Sequence, residues 1–312
     1  MGGILLRKNS LNVNKILPTI GNSAVRRGVG KMKLKKLTSL VMAGLFSMGV
    51  AFTAADVVAE AADSPECTSV VREAPVGGFF LDFSKEKAVP EGWMASDGWT
   101  NGNPFNSNWH KESVQFKKGA MQLSVTKETA TEGWAFDNKV PYTGGEFRSL
   151  VNNRFHYGLY EVCMKPAKHE GLMAGSFFTY TGPWDTPPTQ WDEIDIEFIG
   201  DKSDKAQFNY YVNGVGGHEY MCDLGFDASA DFHVYAFRWE PLKITWYVDG
   251  KEVYHVEGNN LPVTPSMVMA NIWAGKGVDE WLGHFDGKNM PLAASYKWMK
   301  FTPDYQLTHV NK

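Results

Sequence analysis

The sequence predicts an all-β domain: a jelly-roll β-sandwich of two antiparallel curved sheets, with a concave substrate cleft on one of them. Three observations predict it. Short strand-like runs separated by turn residues repeat from about residue 78 to the end. No long amphipathic helix and no repeat at solenoid spacing interrupts them. Between Glu193 and Phe198, acidic and apolar residues alternate strictly, which is the period of a strand exposing one face and burying the other.

The elements follow in order. Gly158 to Lys165 reads as a strand that stops at Pro166, and Ala174 to Tyr180 as the next. Pro183 to Thr189 is a proline-rich loop that delivers the chain into the acidic strand. Gln207 to Gly214 follows, with Asn209 and Tyr211 on one face. Ile244 to Tyr254 is a hairpin with Asp249-Gly250 at its turn, because Asp-Gly suits the positive backbone angles of a two-residue connection. A chain of 312 residues buries enough surface for one such domain.

The amino-terminal segment is different in kind. Lys33, Lys35 and Lys36 precede an apolar run from Leu37 to Ala55, and Ala59-Glu60-Ala61 supplies a small-x-small cleavage pattern. Residues 32–61 are therefore expected to be a signal peptide, and 1–31 a gene-model extension ahead of the true start at Met32. Residues 62–77 are expected to form a linker, 78–305 the folded domain and 306–312 a tail. The expected product is secreted and extracellular, with no membrane association after cleavage. The formal charge is −4; residues 1–61 hold nine basic and two acidic side chains, so 62–312 keep 22 basic and 33 acidic, or −11. That balance disfavours nucleic acid as a partner. Cys67, Cys163 and Cys222 are an odd count and cannot form a full disulfide framework; one pair is possible but spacing does not decide it, and Cys163 reads as a small core hydrophobe. No Cys or His spacing suggests a metal. Eleven Trp exceed what a core of this size needs, and flat aromatic surfaces suit the apolar faces of sugar rings.

Glu193, Asp195 and Glu197 share one face of their strand. Three carboxylates in a row repel one another, so the pattern costs stability unless it serves chemistry. On a flat strand the Cα atoms of Glu193 and Glu197 would lie about 13 Å apart. Glycosidic bond cleavage with retention requires carboxyl groups about 5–5.5 Å apart, and inversion about 6.5–9.5 Å. A concave sheet face lets the side chains converge, hence the expected cleft. The charge of Asp195 would raise the proton affinity of both neighbours and keep one glutamate available as an acid.

The run Trp191-Asp192-Glu193-Ile194-Asp195-Ile196-Glu197-Phe198 resembles the signature of glycoside hydrolase family 16, and within it the bacterial lichenase branch, the endo-β-1,3-1,4-glucanases. Gly158-Leu159-Tyr160-Glu161-Val162, Ser176 to Gly182, Gln207 to Tyr211, Gly216-Gly217-His218-Glu219 and Asp279 to Gly283 resemble it too, in order, over about residues 78 to 302. The laminarinase branch usually has one more residue before the last glutamate. The resemblance implies a retaining enzyme with Glu193 as nucleophile, Glu197 as general acid/base and Asp195 as supporting acid, acting on mixed-linkage β-glucan as a monomer. It implies substrate contacts from Trp191, Asn209, Tyr211, Glu146, Arg148, Trp273, Trp281, Glu219 and Asn101. His218 reads as a structural hydrogen-bonding group. Two family features have no counterpart here. The positions of a family disulfide match Ser107 and Gly144. A structural calcium would need an aspartate where Lys297 stands, and an ammonium repels that ion, so no cofactor and no metal are expected. Two other readings compete: a family 16 enzyme of other specificity, laminarinase or xyloglucan-acting, and a non-catalytic carbohydrate-binding jelly roll.

Overall fold

The computed structural model describes residues 64–304 apart from 131 and 138. The expected extension, signal peptide and tail lie outside the described residues. In chain order the described elements are helix α1 (Pro65–Ser69), β1 (Phe79–Asp82), β2 (Trp93–Ala95), β3 (Ser107–Trp109), β4 (Val114–Lys117), β5 (Ala120–Val125), β6 (Tyr142–Ser149), β7 (Gly158–Lys165) and β8 (Leu172–Thr181). They continue with β9 (Asp192–Ile199), β10 (Lys205–Tyr211), β11 (Tyr220–Asp223), β12 (His233–Glu240), β13 (Lys243–Val248), β14 (Lys251–Glu257), β15 (Met267–Ala274), α2 (Asp279–Leu282) and β16 (Leu292–Pro303).

These strands make a jelly-roll sandwich. One sheet has the order β14-β13-β12-β7-β16-β5-β4, with β1 also pairing with β16. The other runs β11-β10-β9-β8-β15-β6-β2. All pairings of named strands are antiparallel except β3, which joins β6 in parallel at Ser107 and Tyr142. Asp249 and Gly250 take the positive φ angles of 45° and 72° expected of the β13–β14 turn. Register shifts fall at Met173/Gly175 between β8 and β9 and at Met269/Trp273 between β15 and β8. Such irregularities bend a sheet.

The core lies between the sheets. From the second sheet it receives Ile194, Ile196 and Phe198 of β9, Phe177 of β8, Phe208 of β10 and Val268, Ala270 and Ile272 of β15. From the first it receives Tyr160 and Val162 of β7, Tyr235, Phe237 and Trp239 of β12, and Ile244 and Trp246 of β13. Two hydrogen bonds cross it: Trp246 Nε1 donates to the Asp195 carbonyl at 3.1 Å, and the Tyr296 hydroxyl to the Ser176 carbonyl at 2.9 Å. The strand bearing the acids is thereby fastened from the side opposite its carboxyl groups.

Two expectations change. Cys163 is not a lone core hydrophobe, because its sulfur is bonded to that of Cys67 across a sequence separation of 96 residues. Cys222 is the remaining free and buried cysteine. The bridge draws the segment expected as a linker onto the first sheet. There Ser64 caps α1 through the Cys67 N–H, Trp298 Nε1 donates to the Cys67 carbonyl at 2.9 Å, and Arg72 pairs with Asp82 at 2.9 Å. Sequence spacing could not foresee this, because a short helix becomes favourable only once it has a sheet to pack on. Nearby, Lys297 Nζ lies 4.7 Å above the Phe232 ring centre, and Lys165 Nζ lies 5.5 Å from the same ring.

Candidate active site

The acidic row occupies the outward face of β9, an interior strand of its sheet. Its pairing with β10 runs without a shift from Glu193↔Tyr211 through Asp195↔Asn209 to Glu197↔Gln207. On the other side, Tyr180, Phe178 and Ser176 of β8 stand opposite Glu193, Asp195 and Glu197. No bulge separates the three acids on either flank. A row on an open sheet would be bathed in water, yet Asp195 keeps 3% of its surface exposed and both glutamates are only half-exposed. Side chains rising from neighbouring strands and loops wall the row into a cleft.

Each glutamate has its own donor. Trp191 Nε1 donates to Glu193 Oε2 at 2.7 Å, and the indole stacks on Tyr211 with ring centres 5.3 Å apart. Tyr180 meets Trp191 edge-on. Gly216 covers Tyr211 so closely that a Cβ there would stand 2.4 Å from the ring, a place only glycine can fill. At the other end Gln207 Nε2 donates to Glu197 Oε2 at 2.7 Å, while the Gln207 oxygen accepts from Trp281 Nε1 at 3.0 Å. The two ends of the acidic row are thus held by two tryptophans, one directly and one through an amide.

Burial dominates the electrostatics. It pushes Glu193 up to about 7, although hydrogen bonds from Trp191 and Asp195 favour the charged form. Glu197 is pushed up to about 8 by burial, with Gln207 opposing and the charges of Glu193 and Glu219 adding to the rise. Asp195 is held well above the usual carboxylate range by burial and then by the charges of Glu193 and Glu197, and it shares a hydrogen bond with Glu193. A protonated Asp195 donating to Glu193 accounts for both effects. Asp192, next in the chain but turned away, shows the opposite behaviour. Burial would raise it, yet the N–H groups of Val263, Asn213 and Thr264 and the Gln190 amide outweigh that and hold it low. It ties three loops together beneath the site.

The other sequence-predicted residues divide. Asn209 is buried opposite Asp195, with its Oδ1 accepting from the Tyr210 N–H at 2.9 Å. Glu146 is 2% exposed, accepts from Ser96 at 2.5 Å and is also hydrogen-bonded to Asn271; burial raises its proton affinity against the opposing effect of Arg148. Arg148 Nε stands 3.9 Å from Glu146 Oε1, buried and without a hydrogen-bond partner. Trp281 lines the site through Gln207, but Trp273 is buried behind it, packed on Phe105 with ring centres 4.2 Å apart. It is 4% exposed and clusters with Trp109, Met173, Ile199 and Leu282, so little of its ring is left to meet a sugar. Asn101 is exposed and accepts from Trp109 Nε1 at 2.9 Å. Glu219 is exposed and acts on the acids through its charge. His218 stacks on Tyr210 and bonds its carbonyl at 2.9 Å, as its structural reading required.

Sequence reasoning missed Gln207 and Asn271. Both were within reach of the same rule that found their neighbours, since Gln207 shares the period-2 face of Asn209 and Tyr211, and Asn271 that of Trp273. Ser96 and Trp246 carry no such local signal.

The model of glycosyl hydrolases family 16 matches residues 101–299. The chain belongs to that family. It is similar to a β-glucanase of Brevibacillus brevis, 47% identical over 75% of this chain and 86% of the relative, and to one of Paenibacillus polymyxa, 51% identical over 67% and 82%. Among solved structures it is similar to a prokaryotic β-1,3-1,4-glucanase (lichenase) derived from a mouse hindgut metagenome. That likeness has a TM-score of 0.66 and 47% identity, and covers 73% of this chain and 99% of the other. This family 16 protein is a glycosidase, and its sandwich is the fold of those relatives.

Proposed function

We propose that the protein is a secreted endo-β-glucanase that cleaves β-1,4 bonds adjacent to β-1,3 bonds in mixed-linkage β-glucan, with retention of configuration. The observation that carries the mechanism is the unshifted row of three acids on one face of β9, with a separate hydrogen-bond donor on each glutamate. Burial raises the proton affinity of both glutamates, but Glu193 receives two hydrogen bonds that favour its anion, from Trp191 and Asp195, whereas Glu197 receives one and feels the charge of Glu193. Near neutral pH the first can be ionised while the second still holds a proton, as a nucleophile and an acid must.

In the first step the Glu193 carboxylate attacks the anomeric carbon. The bond to the leaving oxygen breaks and that oxygen takes the proton of Glu197. Gln207 occupies Glu197 Oε2, leaving the other oxygen to carry that proton. In the second step the Glu197 carboxylate takes a proton from water, whose oxygen bonds to the anomeric carbon as Glu193 departs. Asp195, protonated, holds Glu193 by a hydrogen bond throughout. Trp191 and Tyr211 offer stacked rings to the sugar.

The unshifted pairing of β9 from Glu193 to Glu197 supports the lichenase branch over the laminarinase branch. No metal takes part in this reading. Where the family resemblance puts a structural calcium, the ammonium groups of Lys297 and Lys165 gather on Phe232 and do not fit a cation. No helix among the described residues is long and apolar enough to cross a membrane. We take the enzyme to act as a monomer on extracellular polysaccharide.

The test is incubation of residues 62–312 with barley mixed-linkage glucan, laminarin, carboxymethylcellulose and xyloglucan, with the products resolved. Short oligosaccharides from the mixed-linkage polymer alone are expected. Cutting of laminarin or xyloglucan instead would overturn the specificity, and binding without any cutting would favour the lectin-like alternative. Azide should rescue Glu197→Ala on an activated aryl glycoside with a β-configured product, and an inverted product would refute its role.

A further inference from the structure

Eleven Trp are spread over this chain, and Trp134 is among the most exposed, at 78%. An indole left in water adds little to a core, yet this one is held in place. Its Nε1 donates to the Asp97 carbonyl at 3.3 Å. Its loop is zipped to the neighbouring segment by the Ala135 N–H donating to the Gly98 carbonyl at 2.8 Å. Its ring lies so close on Gly98 that a Cβ there would meet the indole at 2.5 Å, and Gly98 also has a φ of +96°. One side of the indole is therefore backed by glycine and by Trp99, whose ring centre is 5.8 Å away. The rest faces outward.

The position of this indole relative to the acids follows from strand register. Asp195 stands opposite Phe178, Phe178 opposite Met269, and Met269 opposite Arg148, so these four share one face across β9, β8, β15 and β6. Three strand spacings, about 14 Å, separate the first from the last. Phe178, Met269, Met267 and Tyr180 form an apolar cluster on that face, apart from the main core. At the far end the Arg148 guanidinium lies 5.4 Å above the Trp99 ring, and Trp134 is next to Trp99. A continuous floor thus runs from the carboxyl groups to Trp134. Past it the surface turns onto the edge strands of the other sheet, where a groove of about 850 Å³ is bordered by Trp134, Phe136, and Gln115 and Gln122 of β4 and β5.

We propose that Trp134 is a distal stacking platform for a sugar ring of the bound β-glucan, engaged only by chains long enough to pass Arg148. This rests on the reading of the cleft as a β-glucan site. The equatorial substituents of a β-glucosyl ring leave its faces lined with C–H groups, which an outward-facing indole matches.

The experiment compares Trp134→Ala and Trp134→Phe with the parent protein on polymeric mixed-linkage glucan and on an aryl glycoside too short to reach beyond Arg148. At the strength of an ordinary aromatic contact, KM for the polymer should rise between about twofold and about twelvefold in Trp134→Ala with kcat unchanged. The short substrate should be turned over as before, and Trp134→Phe should fall between. Equal KM at every chain length would overturn the platform, as would an equal loss on both substrates together with a lowered Tm. A parent protein that cuts no β-glucan removes the underlying reading and the platform with it. A parent that cuts normally beside an unaffected Trp134→Ala removes the platform alone.

Discussion

Replacing Glu193 by Gln should stabilise the protein at alkaline pH and not at acid pH. In the unfolded chain this carboxyl ionises near 4.5, and in the folded protein near 7. Between those values the native state keeps a proton that the unfolded state has lost, so stability falls as pH rises. By pH 8 the loss through Glu193 alone is about 3 kcal/mol. Gln does not titrate, and its amide oxygen can still accept from Trp191. Removing the charge also eases ionisation of Glu197, which acts in the same direction. Relative to the parent, Glu193→Gln should be unchanged or slightly weaker at pH 4.5 and about 3 kcal/mol more stable at pH 8. For a domain of this size that corresponds to about 6–12 °C in Tm. Differential scanning calorimetry of both proteins from pH 4.5 to 8.5 measures it directly. A difference in Tm that does not change with pH would show that Glu193 is not held protonated by burial, and the raised proton affinity of the row would lose its basis.

Four further outcomes are expected. Gln207→Ala removes the donor that favours the charged form of Glu197, so the alkaline limb of the pH–rate profile should move up while kcat falls; an unmoved limb would refute the coupling. Cys67→Ser opens a link spanning 96 residues and should cost about 2–4 kcal/mol in urea unfolding, with kcat kept, because the bridge ties the first sheet and not the cleft. Trp246→Phe loses core volume and the donor to the Asp195 carbonyl, and should cost about 3 kcal/mol with a reduced kcat. Calcium and EDTA should leave Tm unmoved; a calcium-dependent rise of several degrees would refute the reading of Lys297.

The sequence alone carried the strand of acids because its pattern is local: period two, with Ile194, Ile196 and Phe198 on the reverse face. The β13–β14 hairpin was legible for the same reason, since Asp249-Gly250 carries its own geometry. What escaped depended on which strands become neighbours. Trp246 serves the site only because β13 packs behind β9. Cys67 could not be matched to Cys163 before the first sheet existed to receive α1. The surplus of tryptophans divided as both readings allowed. Trp93, Trp109, Trp239, Trp246, Trp273 and Trp298 are buried, Trp99, Trp191 and Trp281 are partly buried, and Trp134 and Trp184 are exposed.

The fold also explains why so unfavourable a row of side chains persists. Burial raises the proton affinity of Glu193 and of Glu197, so ionising both destabilises the fold relative to the unfolded chain. Ile194, Ile196 and Phe198 on the other face are at most 1% exposed, and burying three such side chains contributes about 5–9 kcal/mol. That gain opposes the cost of the acids and must also offset the conformational entropy of ordering the strand, so β9 is not stable by itself. Its order comes from its surroundings: ladders to both β8 and β10 along the acidic row, and the indole of Trp246 bonded to its backbone from the core. An edge strand with this sequence would have one ladder and no such anchor. The placement of the acids on an interior strand is therefore a condition of their chemistry, because only there can three mutually repelling carboxyl groups be held close enough to share protons.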